Sequence, residues 1–155
     1  MCRNRFTDRY QPAGGSTLAV NRDGCAGRVT VLLDANALMM PAQFQIDLFD
    51  ELRMLIGAFD PVILPGVLQE LNGLTRAKGR DGAAARCGLT LAEKCTIVQN
   101  TNLKAGSVDA QVVAYAAQNK CLVVTNDRRV RDALFAQGIG VISLRNQKKL
   151  EILRR

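Results

Sequence analysis

The chain has 155 residues, 48% hydrophobic and 23% charged, with a net charge of +7 and no histidine. That length holds one hydrophobic core, no apolar run reaches the roughly 18 residues of a membrane span, and residues 1–28 lack the apolar stretch of a signal peptide. With no imidazole, and five cysteines of which no two form a Cys-x-x-Cys pair, the composition argues against a zinc site or a histidine base, and thiols read as free imply a reducing, cytoplasmic compartment.

The basic excess lies at the two ends. Residues 1–28 carry five arginines against two aspartates, and residues 145–155 carry five basic residues against Glu151. Between them 11 basic and 11 acidic residues cancel. Basic flanks suit a polyanion such as nucleic acid, or simply keep the protein soluble. Residues 1–28, rich in Arg, Gly, Ser, Asn and Asp, are expected to form a disordered or loosely attached extension. Residues 29–155 are expected to form the folded domain.

Val29-Thr30-Val31-Leu32-Leu33-Asp34 is a β-branched apolar run, the pattern of a strand buried on both faces. A turn through Pro41 is expected next, then an amphipathic helix over about 44–56, with Phe44, Leu48, Leu52 and Leu55 on one face. Phe44, Ile46 and Phe49 on that helix hint at a homodimer surface, though core positions are the simpler reading. A short strand is predicted over 61–65, and Pro65 suits the first turn of a helix reaching about Leu74. A basic loop (76–80), a helix (83–94) and a short strand (96–98) follow. Ser107 is a good cap for a helix over 108–118. Cys121–Thr125 reads as a strand, Asp127 as the cap of a helix to about Ala136, and Val141–Leu144 as the last strand. Strands alternating with helices predict an α/β fold, a three-layer α/β/α domain around a central parallel sheet of about five strands. Neither nucleotide-binding glycine loop is present.

In parallel sheets ligands bind beyond the carboxyl ends of the strands. Asp34 and Asp127 both follow strands, so both point to that rim, although each could equally serve as a helix cap. Glu70 and Asp109 fall on the apolar stripes of their helices. A carboxylate aimed at a core costs several kcal/mol unless a base, a proton or a metal neutralises it. Four such acids together point to a shared cation. Oxygen ligands without nitrogen or sulfur select Mg²⁺ or Mn²⁺, and a metal-activated water permits phosphoryl chemistry without histidine.

Leu33-Asp34-Ala35-Asn36-Ala37-Leu38, Val67-Leu68-Gln69-Glu70-Leu71, Val108-Asp109-Ala110-Gln111-Val112-Val113-Ala114 and Val124-Thr125-Asn126-Asp127 resemble, in order and spacing, the four motifs of PIN domains. The resemblance covers about residues 29–150. Lys78-Gly79-Arg80-Asp81 and Leu144-Arg145-Asn146-Gln147 bring it nearest to archaeal PIN proteins related to ribosomal RNA processing endonucleases, and VapC-type toxins share the four acids. The resemblance implies a metal-dependent single-strand endoribonuclease. It makes Asp34, Glu70, Asp109 and Asp127 catalytic and metal-binding, with Asn36 and Thr125 as polar supports. Hydrolysis would leave a 5′-phosphate and a 3′-hydroxyl. Some members carry paired aspartates at the third motif, whereas here Asp109 is followed by Ala110. Lys78, Arg80, Arg128 and Arg129 are candidate RNA contacts, with Arg76, Arg86, Arg131, Arg145, Lys148 and Lys149 behind them. At 5% aromatic residues, extensive base stacking is not expected. RNA is the expected partner, with a ribosome-assembly factor or an antitoxin beside it and no membrane.

Two rivals remain in view. A PIN fold could serve as a non-catalytic RNA-binding or ribosome-assembly scaffold, which the intact set of acids argues against. A receiver-like signalling domain needs adjacent N-terminal acids and a lysine after a late strand, and here that strand ends in Thr125-Asn126-Asp127.

Overall fold

A computed structural model describes residues 28–98 and 106–154. The expected basic extension therefore lies, apart from Arg28, outside the described residues, as do Cys2 and Cys25. Arg28 itself is structural. Its guanidinium binds Asp60 and donates to the Phe59 carbonyl at 2.8 Å, tying the start of the domain to the next strand.

The elements in chain order are β1 (Val29–Leu33), α1 (Ala35–Phe44), α2 (Leu48–Ile56), β2 (Phe59–Ile63), α3 (Pro65–Leu74), α4 (Arg80–Ala92), β3 (Thr96–Ile97), α5 (Val108–Asn119), β4 (Leu122–Val124), α6 (Arg128–Ala136), β5 (Val141–Arg145) and β6 (Lys149–Leu153). The sheet order is β3-β2-β1-β4-β5-β6, parallel except for the antiparallel β5–β6 pair. This is the expected three-layer α/β architecture, with one strand more than anticipated. No helix among the described residues is long and apolar enough to cross a membrane.

The core is the apolar run of β1 (Val31, Leu32, Leu33), the facing Val123, Val124, Val141 and Ile142, and the inner faces of the helices. β1, central and buried on both sides, reads as a continuous apolar run for that reason. From β1 the chain steps through β2 to β3 in one direction, then crosses back so that β4 lies on the other side of β1. Right-handed crossovers in opposite directions put helices on opposite faces. They also open a crevice at the carboxyl ends of β1 and β4, where the order reverses.

Four local expectations are corrected. Residues 35–44 form a helix, where a turn through Pro41 was expected, and the following helix starts at Leu48 rather than near Phe44. A proline inside a helix costs about 3 kcal/mol. Leu38, Met39 and Met40 are buried by α1, at about 1.5–3 kcal/mol each, so packing outweighs the proline. Gly88 allows α4 to lie on α1, since a Cβ there would stand 3.2 Å from the Leu38 carbonyl oxygen. β2 starts two residues earlier than predicted, at Phe59. Pro61 is tolerated inside it because β3 pairs only at Val62 and Ile63. α4 begins at Arg80 rather than Ala83.

The fourth correction is β6, which follows what the sequence offered as the last strand. Its turn uses Asn146 and Gln147 at φ 54° and 59°, a conformation that hairpins normally assign to asparagine or aspartate followed by glycine. Asn146 fits that pattern, but with Gln147 in the glycine position the signal is incomplete and the hairpin is not read from the sequence. Phe44, Ile46 and Phe49 pack against the core. Met54, 73% exposed, is the large hydrophobic side chain that faces solvent among the described residues.

Candidate active site

Asp34 is the residue at which β1 becomes α1. It caps α1, its Oδ1 accepting from the Ala37 amide at 2.7 Å, and only 6% of it is exposed. The cap and ligand readings are therefore not exclusive, since the Ala37 amide engages only one of the two carboxylate oxygens. Burial pushes its carboxyl up to about 7. Hydrogen bonds from Thr125 and Ala37 oppose that rise, and the charges of Asp109 and Asp127 add to it. Thr125 is fully buried at the end of β4. Its hydroxyl also accepts from the Asp127 amide at 3.0 Å, so one side chain fixes an acid on each strand.

Asp127 caps α6, accepting from the Arg129 amide at 2.9 Å. Asp109 lies in the first turn of α5, whose cap is Ser107 as predicted, accepting from the Ala110 amide at 3.1 Å. Glu70 lies mid-way along α3.

The sequence placed Glu70 and Asp109 against the core, and that is corrected. Both are exposed, while Val67 and Leu71 of α3 and Val112 and Ala116 of α5 are buried. The acids stand beside the buried residues of their helices and line a cleft instead of entering the core. Gly66 lets α3 come close to α5, because a Cβ there would meet Gln111 Oε1 at 3.0 Å and Val108 Cγ2 at 3.3 Å.

All four acids line one cleft of about 130 Å³, together with Ala35, Asn36, Met39, Leu74 and Val108. Their charges act on one another. Partial burial raises the Glu70 carboxyl, and Asp109 and Asp127 raise it further. Asp109 is raised by burial and by Asp127, against the pull of Arg129. Asn36, exposed at the mouth, is within the cleft wall.

Among the described residues no three acidic, cysteine or histidine side chains form a ready-made metal cage. The acids face a common space without closing on one point. The donor set nevertheless fits a hydrated Mg²⁺ or Mn²⁺, which keeps several waters and takes one or two carboxylates. A bound cation would relieve the repulsion among the acids.

Arg128 and Arg129 open α6 on the same rim and are exposed. Arg128 has only a loose contact to Asp132 at 3.9 Å. Lys78 and Arg80 are exposed soon after Leu74 of the cleft wall. Two of the further cations are already engaged: Arg86 donates to the Thr75 carbonyl at 3.1 Å, and Arg145 pairs with Glu151 at 3.0 Å.

One residue escaped the sequence reading. Asn126 Oδ1 accepts from Ser143 Oγ at 2.7 Å and from the Leu144 amide at 2.9 Å, fastening the segment between Thr125 and Asp127 to β5. Its neighbours carried the only hint, since the contact is 17 residues away in sequence.

A family model described as a PIN-like domain matches residues 31–147. Ribonuclease VapC4 of Methanocaldococcus jannaschii is 28% identical over 127 residues, which cover 79% of this chain and 95% of that protein. The solved structure of the PIN domain endonuclease Utp24 matches with a TM-score of 0.66 at 29% identity, over 81% of this chain and 92% of that one. VapBC2 from Rickettsia felis, solved bound to a DNA fragment from its promoter, matches with a TM-score of 0.54 at 16% identity, over 74% of this chain and 98% of that one. At that identity it bears on the fold alone.

Proposed function

The chain belongs to the PIN-like domain family, and from that premise we propose that it is an Mg²⁺- or Mn²⁺-dependent endoribonuclease. The observation that carries the reading is the convergence of Asp34, Glu70, Asp109 and Asp127, from four separate elements, on one cleft at the point where the strand order reverses. A relative named as a ribonuclease supports RNA as the substrate.

When bound, a divalent ion would supply Lewis acidity and a water of lowered pKa. Asp34 and Asp109 would be its main ligands, and Glu70 and Asp127 would hold a second ion or orient the attacking water. Thr125 keeps the Asp34 oxygens directed and the Asp127 backbone in place. The buried Asp34 must lose its proton to act as a ligand, and its raised pKa makes that loss pH-dependent near neutrality. Arg128, Arg129, Lys78 and Arg80 would neutralise the phosphates on either side of the cleft. The products would be a 5′-phosphate and a 3′-hydroxyl. Ribosomal RNA processing and toxin-type cleavage both fall within this chemistry, with a ribosome-assembly factor or an antitoxin as the respective partner. Sequencing the cut ends separates them.

The test is cleavage of a labelled structured RNA with Mn²⁺, Mg²⁺ or EDTA, comparing the unaltered protein with Asp34→Asn. Metal-dependent cutting that disappears in the variant is expected. RNA binding that survives EDTA, with no product under any condition, would refute the nuclease and leave the scaffold reading.

A further inference from the structure

The β5–β6 hairpin ends on the rim that carries the acidic cleft. β5 is parallel to β4, so Arg145 leaves the sheet on the side where Asp127 follows β4. The two segments are joined there by Asn126, which accepts from Ser143 and Leu144 immediately before Arg145. Side chains alternate along a strand. Arg145 and its cross-strand partner Lys149 therefore share the face of Ser143, the face turned to Asn126. At about 3.3 Å per residue, the tip stands about 7–10 Å beyond Leu144.

The tip itself is polar, exposed and cationic: Asn146, Gln147, Lys148 and Lys149. Asn146 and Gln147 both adopt left-handed backbone, closed by the Lys148 amide donating to the Arg145 carbonyl at 3.1 Å. Five cross-strand pairs hold this conformation in place. Arg145 is neutralised by Glu151. Among the described residues, neither Lys148 nor Lys149 has an acidic partner within ion-pair distance.

We propose that this hairpin is a substrate-contacting element that extends the nucleic-acid track past the cleft. Lys148 and Lys149 take backbone phosphates of a single RNA strand, and the amides of Asn146 and Gln147 meet its sugars or base edges. The proposal rests on the nuclease reading and deepens it by adding a contact remote from the cut.

The test compares two double variants of the full chain. Lys148→Gln with Lys149→Gln removes the two tip charges. Lys94→Gln with Lys120→Gln removes two exposed charges that precede β3 and β4, and so lie on the opposite rim. Binding of a fluorescein-labelled, mixed-sequence single-stranded RNA is titrated in EDTA at about 50 and about 200 mM salt, and cleavage is followed with Mn²⁺. Each phosphate contact contributes about 0.7 to the salt slope on a single strand, so losing two lowers it by about 1.4. Over that fourfold salt range the hairpin variant should lose about sevenfold more affinity at the lower salt than at the higher. The opposite-rim variant should keep the original slope, and the hairpin variant should cut with raised KM and unchanged kcat. Cutting by the unaltered protein with equal slopes in the two variants overturns the hairpin proposal alone. No RNA binding by the unaltered protein overturns the hairpin proposal. No cutting either overturns the nuclease reading with it.

Discussion

Replacing Asp34 by asparagine should remove most of the stability loss that the metal-free protein undergoes as the pH rises toward neutrality. The reasoning starts from burial. Asp34 is 6% exposed, and its carboxyl is pushed from an ordinary 3.8 up to about 7, chiefly by desolvation. A carboxyl whose pKa is higher folded than unfolded binds more protons in the native state between those two values. Native stability must therefore fall as pH rises through that window, and level off above about 7. At about 1.36 kcal/mol per pH unit the loss is at most about 4 kcal/mol, a large part of the 5–15 kcal/mol typical of a domain. Asparagine keeps an oxygen for the Ala37 amide and carries no charge, so the variant should lack this slope. The assay is urea denaturation in EDTA at several pH values from about 4 to 8, on the unaltered protein and Asp34→Asn. Glu70 and Asp109, also raised, leave a smaller residual slope in both. Parallel stability curves for the two proteins would refute the argument that Asp34 is charged at a desolvation cost.

Further outcomes follow from the same geometry. Mg²⁺ or Mn²⁺ competes with protons for these carboxylates, so its stabilisation of the unaltered protein should grow as pH rises toward about 7 and be small in Asp34→Asn. Thermal melts with and without metal check this. Thr125→Val removes the hydroxyl that serves Asp34 and the Asp127 amide. It should cost about 1–3 kcal/mol and shift the pH profile of cleavage to higher pH, because a hydrogen bond that lowers the Asp34 pKa is gone. Asn126→Ala leaves Ser143 Oγ and the Leu144 amide without their acceptor, a loss of about 1–3 kcal/mol readable by urea denaturation. Gly88→Ala puts a Cβ 3.2 Å from the Leu38 carbonyl oxygen and 3.3 Å from Leu38 Cβ. It should destabilise by about 1–3 kcal/mol, and an unchanged denaturation midpoint would show that α1 and α4 can slide apart freely.

The sequence by itself determined the elements whose signals are local. The apolar run of β1 announces a central strand because its neighbours in one chain segment suffice to define it. Ser107 and Asp127 announce helix starts because a cap bonds within three residues of itself. Strand–helix alternation implied a parallel sheet, and the order of the four acidic motifs implied the family. Pro41 and the β5–β6 turn went the other way, since both break a local preference that only distant packing or strand pairing repays. Periodicity also named the helix stripe on which Glu70 and Asp109 stand, yet could not say whether that part of the stripe meets the core or a cleft. That is a matter of how α3 and α5 are placed, and it decides whether an acid is buried or overhangs a cleft. The tertiary structure alone brought β4 beside β1, and with it Thr125 beside Asp34 and Asn126 beside Ser143. Contacts across such separations depend on strand order, which no short stretch of sequence encodes.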